Sequence, residues 1–471
     1  MFGLKELGSF QCSLSMLLSA FLLFSCAKGK DDTEGEDRST PYVASISPDN
    51  AATGVPNNST ITITFSKAIP PSVVTVDSDG QCTKNVQVSS DSFSTCLPLS
   101  SDGGDIASKI FILTPNTFNN KIPSGTSYSI KVSSSIKDYY DMTMDAEKTS
   151  SFTTATRCSS GCSWSQVSPV GELTGRSGHS GLVFNKKMWL FGGYDNTTYF
   201  QDVMSSPDSL SSSVGKWDNL TMDTVDPVDP VDPVWNKRHK HVSLRFKGKM
   251  WVIGGIKGNT SYGDVWSSST GRKWDNQTQT GDFPSPRHSH AGVVFKNKIW
   301  ILGGQSGNSY LNDVYSSSDG AFWTQESSAA GWSARYGHAS VVYDSKIWII
   351  GGDNGTSGNL NDVWNSSDGV SWNNHSNLDN TTKNHSSIVF DGKIWILGGD
   401  DKDGSPQRRY FTYNGTSWSS LNTPEKNDGN TAWSQRSSTI SLVYDNYLWV
   451  IGGYKGETSE KVLKDVWKFG K

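Results

Sequence analysis

Six Gly-Gly doublets punctuate the C-terminal two-thirds of the chain, at Gly192-Gly193, Gly254-Gly255, Gly303-Gly304, Gly351-Gly352, Gly398-Gly399 and Gly452-Gly453. Three positions before each doublet stands a tryptophan: Trp189, Trp251, Trp300, Trp348, Trp395 and Trp449. Thirteen positions before it comes His179, His241, His290, His338 or His385, with Thr439 in the sixth unit. Three residues earlier lies Arg176, Arg238, Arg287, Arg335 or Arg436, the fifth unit having Thr382 in that place. After the doublet come Asp202, Asp264, Asp313 and Asp362, each followed by Val, and five units end on a further tryptophan: Trp217, Trp274, Trp323, Trp372 and Trp418. Self-similarity at a fixed period marks supersecondary units that bury their faces against one another. A unit of 47 to 62 residues has room for four short strands, one blade of a radial β-propeller. The repeat positions are read as scaffold. Gly-Gly permits backbone geometry or close approach that a Cβ forbids, Trp fills the wedge between blades, and Arg, Asp and His can tie adjacent strands by hydrogen bonds.

The last unit carries Asp465-Val466-Trp467 but no late tryptophan, while Trp164 precedes the first Arg/His element and has no unit of its own. The strand around Trp164 is therefore expected to complete the sixth blade and close the ring, leaving no open edge. The Arg/His, Gly-Gly, Asp-Val-aromatic and late-Trp series, over residues 164–467, resembles the kelch repeat. That resemblance implies a six-bladed kelch β-propeller over 157–471. The Pro-rich insert Asp223 to Pro233 should form an extended loop.

The all-β reading extends upstream. The composition has 34% hydrophobic residues but 18 Trp and 46 Gly, the profile of short strands joined by turns. Alternating runs at Ile61–Phe65, Ile110–Leu113, Tyr128–Val132 and Ser151–Thr153 put one face of each strand in a core, as in a β-sandwich. The opening PYVASISPDNAATGVPNNSTITITFSKAI, the GTSYSIKVSSSIKD segment and the closing SFTTAT resemble a bacterial Ig-like domain of the SbsA type. This implies that 41–156 is a spacer or adhesion module without an active site.

Residues 1–26 read as an export signal: Lys5 precedes an apolar run from Ser13 to Phe24 too short to span a bilayer. Leu23-Phe24-Ser25-Cys26 resembles a bacterial lipobox, which implies diacylglycerol on Cys26. Ala27 and Lys28 after it resemble export to the outer membrane. Residues 27–40 are polar throughout and read as a solvated tether. In an oxidising compartment the remaining Cys82, Cys96, Cys158 and Cys162 allow three disulfide connectivities, and sequence proximity favours Cys82 with Cys96 and Cys158 with Cys162.

A net charge of -4 without a basic block argues against nucleic acid as a partner. Galactose oxidase shares the propeller architecture but uses copper and a Tyr–Cys crosslink, and no Cys follows Cys162. The segments SSSDGAFW at 316–323 and NSSDGVSW at 365–372 resemble the Asp box of sialidases, but Asp319-Gly320 and Asp368-Gly369 are adjacent where that motif has a residue between, which suits a tight turn. Outside the repeat positions few arginines remain for a sialidase triad, mainly Arg245, Arg272, Arg408 and Arg409. No metal or cofactor is expected, because the histidines lack acidic or Cys partners at ligand spacing. The preferred reading is a monomeric, lipid-anchored envelope protein whose propeller binds a protein or glycan through variable loops at Tyr194 to Phe200, Gly258 to Tyr262, Gln305 to Tyr310, Asp353 to Gly358 and Asp400 to Arg409. The alternative is a carbohydrate-active enzyme resembling the kelch-type sialic acid epimerases or the sialidases. A structural envelope component without a small ligand is the third possibility.

Overall fold

The computed structural model describes residues 39–470 apart from 58, 79, 102–108, 116–121, 157–161, 168–172, 207–216, 221–234, 423–432 and 457–460. The signal, Cys26, the tether up to residue 38, Cys158 and the 223–233 insert lie outside the described residues, while Ser39 and Thr40, read as part of the tether, are hydrogen-bonded to the sandwich. Among the described residues there is no α-helix, only a 3-10 turn at Pro71–Val73.

Alternation builds the N-terminal β-sandwich. In Ile61–Phe65 the isoleucines and Phe65 point inward while the threonines stay half-exposed, so the strand presents one apolar face. One sheet runs in the order Val43–Ser47, Ile61–Phe65, Ile110–Pro115, Leu99–Ser101, and the other Ala52–Val55, Lys148–Thr154, Ser127–Val132, Val86–Ser89. Ile63, Phe111, Ile130 and Val88 meet in a core fully shut off from water. Cys82 is bonded to Cys96, and Cys162 is also disulfide-bonded, its partner lying outside the described residues.

Six blades follow. Their innermost strands, Ser180–Phe184, Val242–Phe246, Ala291–Phe295, Ala339–Tyr343, Ser386–Phe390 and Ile440–Tyr444, neighbour one another in a closed ring. In the sixth blade the outermost strand is Ser163–Val167, with Trp164 opposite Phe469, so the segment before the first blade does close the last. Blade three gains a further strand, Thr280–Gly281, parallel to Phe322–Ser327.

The repeat residues stitch the ring in two directions. Within a blade each arginine is a buried fork: Arg335 donates to both carboxylate oxygens of Asp362 at 2.6 and 2.7 Å and to the Gly351 carbonyl at 2.8 Å. Arg176–Asp202, Arg238–Asp264, Arg287–Asp313 and Arg436–Asp465 repeat this. Such bidentate, charge-assisted bonds satisfy a guanidinium that burial would otherwise destabilise. Between blades, the second glycine of each doublet donates its N–H to the carbonyl at the next blade's arginine position, for example Gly304 to Arg335 at 2.9 Å and Gly453 to Arg176 at 2.9 Å. A Cβ on Gly304 would stand 2.6 Å from the Cβ of His290, which explains the demand for glycine.

The histidines meet the sequence expectation in part. Most fill space, and His338 ties its blade to the one before. Among the described residues His338 Nε2 donates to the Leu302 carbonyl at 3.1 Å and His179 faces the equivalent Ile451 carbonyl, while both ring nitrogens of His241, His290 and His385 are buried without a hydrogen-bond partner. Burial, followed by the charge of Arg176 beside it, holds His179 down to about 3. These rings are therefore neutral packing groups.

The turn reading of the Asp-Gly pairs also has a structural reason. Burial alone would raise the Asp368 carboxyl, but the N–H groups of Val370 and Ser371 donate to it at 2.8 and 2.7 Å and bring it down to about 2. Gly320 passes so close beneath Trp251 of the preceding blade that a Cβ would overlap the indole.

The sandwich packs directly on the propeller, which a free spacer would not do. Its contacts fall on the hairpins joining the first and second strands of the blades. Ser92 Oγ donates to Ser345 Oγ at 2.9 Å, and a Cβ on Gly125 would stand 2.6 Å from the carbonyl carbon of Asp391. At the fourth position of the innermost strands five blades carry valine, Val183, Val294, Val342, Val389 and Val443, and one carries Arg245. Arg245 reaches the sandwich, its Nη2 lying 2.5 Å from where a Cβ of Gly80 would be. A cavity of about 510 Å³ lies between the two, lined by Tyr128, Leu97, Phe184, Arg245 and Tyr444 among others. Among the described residues the hairpin face is thus covered, and the Gly-Gly face is the open one.

Candidate functional site at the open mouth

The residue before each repeat histidine has a left-handed backbone: Gly178, Lys240, Ser289, Gly337, Asn384 and Ser438, with φ between 50° and 64°. This twist turns each N–H toward the neighbouring blade. Lys240 N–H donates to the Gly178 carbonyl at 2.6 Å, Ser289 to Lys240 at 2.9 Å, Gly337 to Ser289 at 2.9 Å, Asn384 to Gly337 at 2.7 Å, Ser438 to Asn384 at 2.7 Å, and Gly178 to Ser438 at 2.9 Å. Six backbone hydrogen bonds close on themselves around the channel. Inside this girdle lies a small pocket of about 120 Å³, lined by the girdle residues, the five repeat histidines and Thr439.

The next residue outward in each blade bridges to the one that follows the Gly-Gly doublet: Ser177 with Tyr194, His239 with Ile256, His288 with Gln305, Tyr336 with Asp353, Lys383 with Asp400, and Ser437 with Tyr454. These twelve positions ring the mouth, and their chemistry is uneven. On one side Tyr194 stacks on Tyr199 with ring centroids 4.4 Å apart, and His239 packs against both. Tyr310 stacks on Tyr336 at 5.1 Å.

Tyr336 then leads into a charged cluster. Lys383 Nζ lies 2.7 Å from Asp353 Oδ2, to which the Tyr336 hydroxyl also donates at 3.3 Å. Asn384 Nδ2 donates to Asp400 Oδ2 at 2.8 Å. Burial pushes the Asp400 carboxyl up. Burial pushes the Lys240 ammonium down, the attraction of Asp400 opposing the shift and the like charge of Lys383 adding to it. His239 is lowered to about 3 and His288 to about 4, in both cases by burial and then by the charge of Lys240. The mouth thus holds neutral imidazoles, two ammonium groups and two carboxylates beside flat aromatic faces.

Blade five accounts for much of this. The register pairs Leu397 with Tyr410 as Ile350 pairs with Val363, so Arg409 stands where Asp362 stands in blade four. With Thr382 in the arginine place, the ion pair of the other blades is absent and the cation has moved to the opposite strand. Arg409 Nη2 donates to Gln407 Oε1 at 2.7 Å, and Gln407 Nε2 donates to Asp401 Oδ2 at 2.7 Å. The scaffold bond is replaced by a polar chain running onto the face.

All five loops named from the sequence lie on this open face. Two of them carry ordinary turn chemistry: Asp195 Oδ1 accepts from the N–H groups of Thr197 and Thr198, and Asn354 Oδ1 from those of Thr356 and Ser357. Sequence reasoning missed Lys240, Lys383 and Asn384. Their signal was available, since each sits one or two residues before a repeat histidine, where the other blades vary. Among the described residues no three His, Cys, Asp or Glu side chains are grouped closely enough to hold a metal ion.

Residues 147–325 match the KLHDC2/KLHL20/DRC7 Kelch-repeats domain, residues 334–365 match the Kelch motif, and residues 37–154 match the Bacterial Ig-like domain. No curated protein sequence matches the chain. Among solved structures, one titled "Structure of YjhT" is 14% identical, with 63% of this chain and 98% of that chain covered at a TM-score of 0.49. The chain is a kelch-repeat β-propeller preceded by a bacterial Ig-like domain.

Proposed function

We propose that this protein is a ligand-binding module of the bacterial cell envelope, held by lipid on Cys26, and that its ligand is a glycan seated at the open propeller mouth. The observation that carries the reading is the pairing, on the Gly-Gly face, of stacked tyrosines with a charged, hydrogen-bonding cluster. A pyranose ring offers an apolar C–H face to aromatic planes and hydroxyls to fixed carboxylates and amides, and few other ligands need both at once. The hairpin face is unsuited to the same task because the Ig-like domain covers it.

A glycan array probed with the whole protein tests this. Selective binding that weakens about tenfold in Tyr336→Ala, roughly 1.4 kcal/mol, supports the reading. A blank array with capture of a protein ligand at the same face would replace glycan by protein. Palmitate labelling should depend on Cys26 and vanish in Cys26→Ala.

A second reading, a carbohydrate-active enzyme, draws on one feature. Burial lowers Lys240 and raises Asp400, shifts in the sense that suits one group to give and another to take a proton. Turnover of a bound sugar, lost in Asp400→Asn while binding persists, would favour it.

A further inference from the structure

Seven large hydrophobic side chains are exposed among the described residues: Tyr42, Ile110, Ile112, Tyr139, Tyr140, Phe322 and Val370. Five belong to the Ig-like domain, although the propeller is the larger part of the chain. Four of these five, Tyr42 at 58%, Ile110 at 50%, Tyr139 at 47% and Tyr140 at 53% exposed, lie at one end of it. Strand Ser127–Val132 starts next to Gly125, which packs on the propeller hairpin at Asp391, and runs away from it. The 133–147 loop that follows therefore lies at the far end, and Lys148–Thr154 returns from it.

That far end is also where the chain enters the fold. Lys67 Nζ donates to the Ser39 carbonyl at 2.5 Å and lies 3.3 Å from Asp138 Oδ2. Asp138 Oδ1 in turn accepts the N–H groups of Tyr140 and Met142 at 2.8 and 3.0 Å, fixing the loop that displays Tyr139 and Tyr140. Thr40 Oγ1 donates to Asp145 Oδ2 at 2.7 Å, and Lys109 Nζ to the Ser66 carbonyl at 3.2 Å, beside Ile110. The entry strand, the Tyr-Tyr loop and Ile110 are thus bolted together.

We infer that this far end of the Ig-like domain, with Tyr42, Tyr139, Tyr140 and Ile110, is a membrane-contacting surface that rests in the headgroup layer of the bilayer. The inference rests on the lipid anchor proposed above. Cys26 stands 13 residues before Ser39, a span of at most about 45 Å, so a lipid there keeps this end of the molecule next to the bilayer. Tyrosine is suited to that depth, its ring entering the acyl boundary while its hydroxyl stays hydrated. The surrounding charges are mixed, with Lys67, Lys109, Lys137 and Lys148 against Asp138, Asp141, Asp145 and Glu147, which fits a zwitterionic headgroup surface better than a strongly anionic one. The contact would hold the Gly-Gly face away from the membrane, because the two lie at opposite ends of the molecule.

Hydrogen exchange on the lipid-carrying full chain, free in detergent and reconstituted into phosphatidylethanolamine–phosphatidylcholine vesicles, tests the inference. Amides of 137–143 should exchange at least threefold more slowly on vesicles. The Tyr139→Ser/Tyr140→Ser variant should lose that slowing while still floating with the vesicles. Flotation without slowing in the wild type overturns the contact and leaves the anchor standing, whereas absence of flotation overturns both. Slowing that follows protein concentration in detergent would overturn it in favour of a second copy of the chain.

Discussion

Blade five and its five companions are built from the same repeat and diverge at one interaction. Elsewhere a fully buried guanidinium is matched to a carboxylate across the blade, as in Arg335 with Asp362; in blade five Thr382 faces a strand that begins with Arg409. The backbone stitch is unaffected, since Gly352 still donates to the Thr382 carbonyl at 2.8 Å and Gly399 to that of Arg436 at 2.9 Å. The ring is thus closed by main-chain hydrogen bonds and packed rings, and the ion pair is a blade-by-blade addition that one blade forgoes. Around that blade are gathered three of the four charged groups of the open mouth, Lys383, Asp400 and, from blade four, Asp353. Where the repeat's own chemistry lapses, polar groups are available to the face.

The same logic divides the propeller from the Ig-like domain, and acid should expose it most strongly. All eight histidines lie in the propeller. Folded His179 and His338 are lowered from 6.5 to about 3, and His385 to about 4, chiefly by burial. Below pH 6.5 the unfolded chain binds protons that the folded chain refuses, so the stability from these neutral rings is complete above that pH. It is lost as the pH falls toward their folded values, by as much as ~1.4 kcal/mol per pH unit for each histidine. Hydrogen exchange at pH 7 and pH 4.5 should show the propeller losing protection well before the sandwich. Equal loss in both would remove the histidines as the cause.

Next in size is the contrast between Arg335→Ala and Thr382→Ala. The first strands a partly buried Asp362 carboxylate and should cost about 3–5 kcal/mol. The second leaves no charge unpaired and should cost about 1 kcal/mol. Urea midpoints would separate them, and similar losses would mean that blade five hides an equivalent tie. A smaller contrast lies between two glycines with positive φ. Gly304→Ala drives a Cβ into His290, whereas Gly307 has nothing within 4 Å. Gly307→Ala should cost only the conformational penalty of about 1 kcal/mol, and Gly304→Ala clearly more, as judged by thermal unfolding.

Much of the fold was legible because its determinants are periodic. Gly-Gly and the first tryptophan recur in all six blades because every blade meets the same two neighbours, and the Arg–Asp pair, made within a blade, recurs in five. The Cys82–Cys96 bond was legible for a related reason, both ends lying in one short segment. The histidines were legible only in part, because a buried, unpaired imidazole and a hydrogen-bonded one such as His338 leave the same letter in the same register. The mouth was only partly legible. Its loops follow the doublets and vary, but Lys240 and Asp400 face each other from blades on opposite sides of the channel, 160 residues apart.

The sequence by itself determined the number of blades, their internal order and the strand that closes the ring, because these follow from contacts within a repeat or between consecutive repeats. Only the tertiary structure decided which mouth is open. That depends on Arg245 leaving a ring of valines to meet Gly80, and on Gly125 fitting against Asp391, single contacts between distant segments that no period announces. The girdle of six backbone hydrogen bonds belongs to the same class. It is made by N–H and C=O groups that every residue carries, so it could be seen only once the chain had closed into a circle.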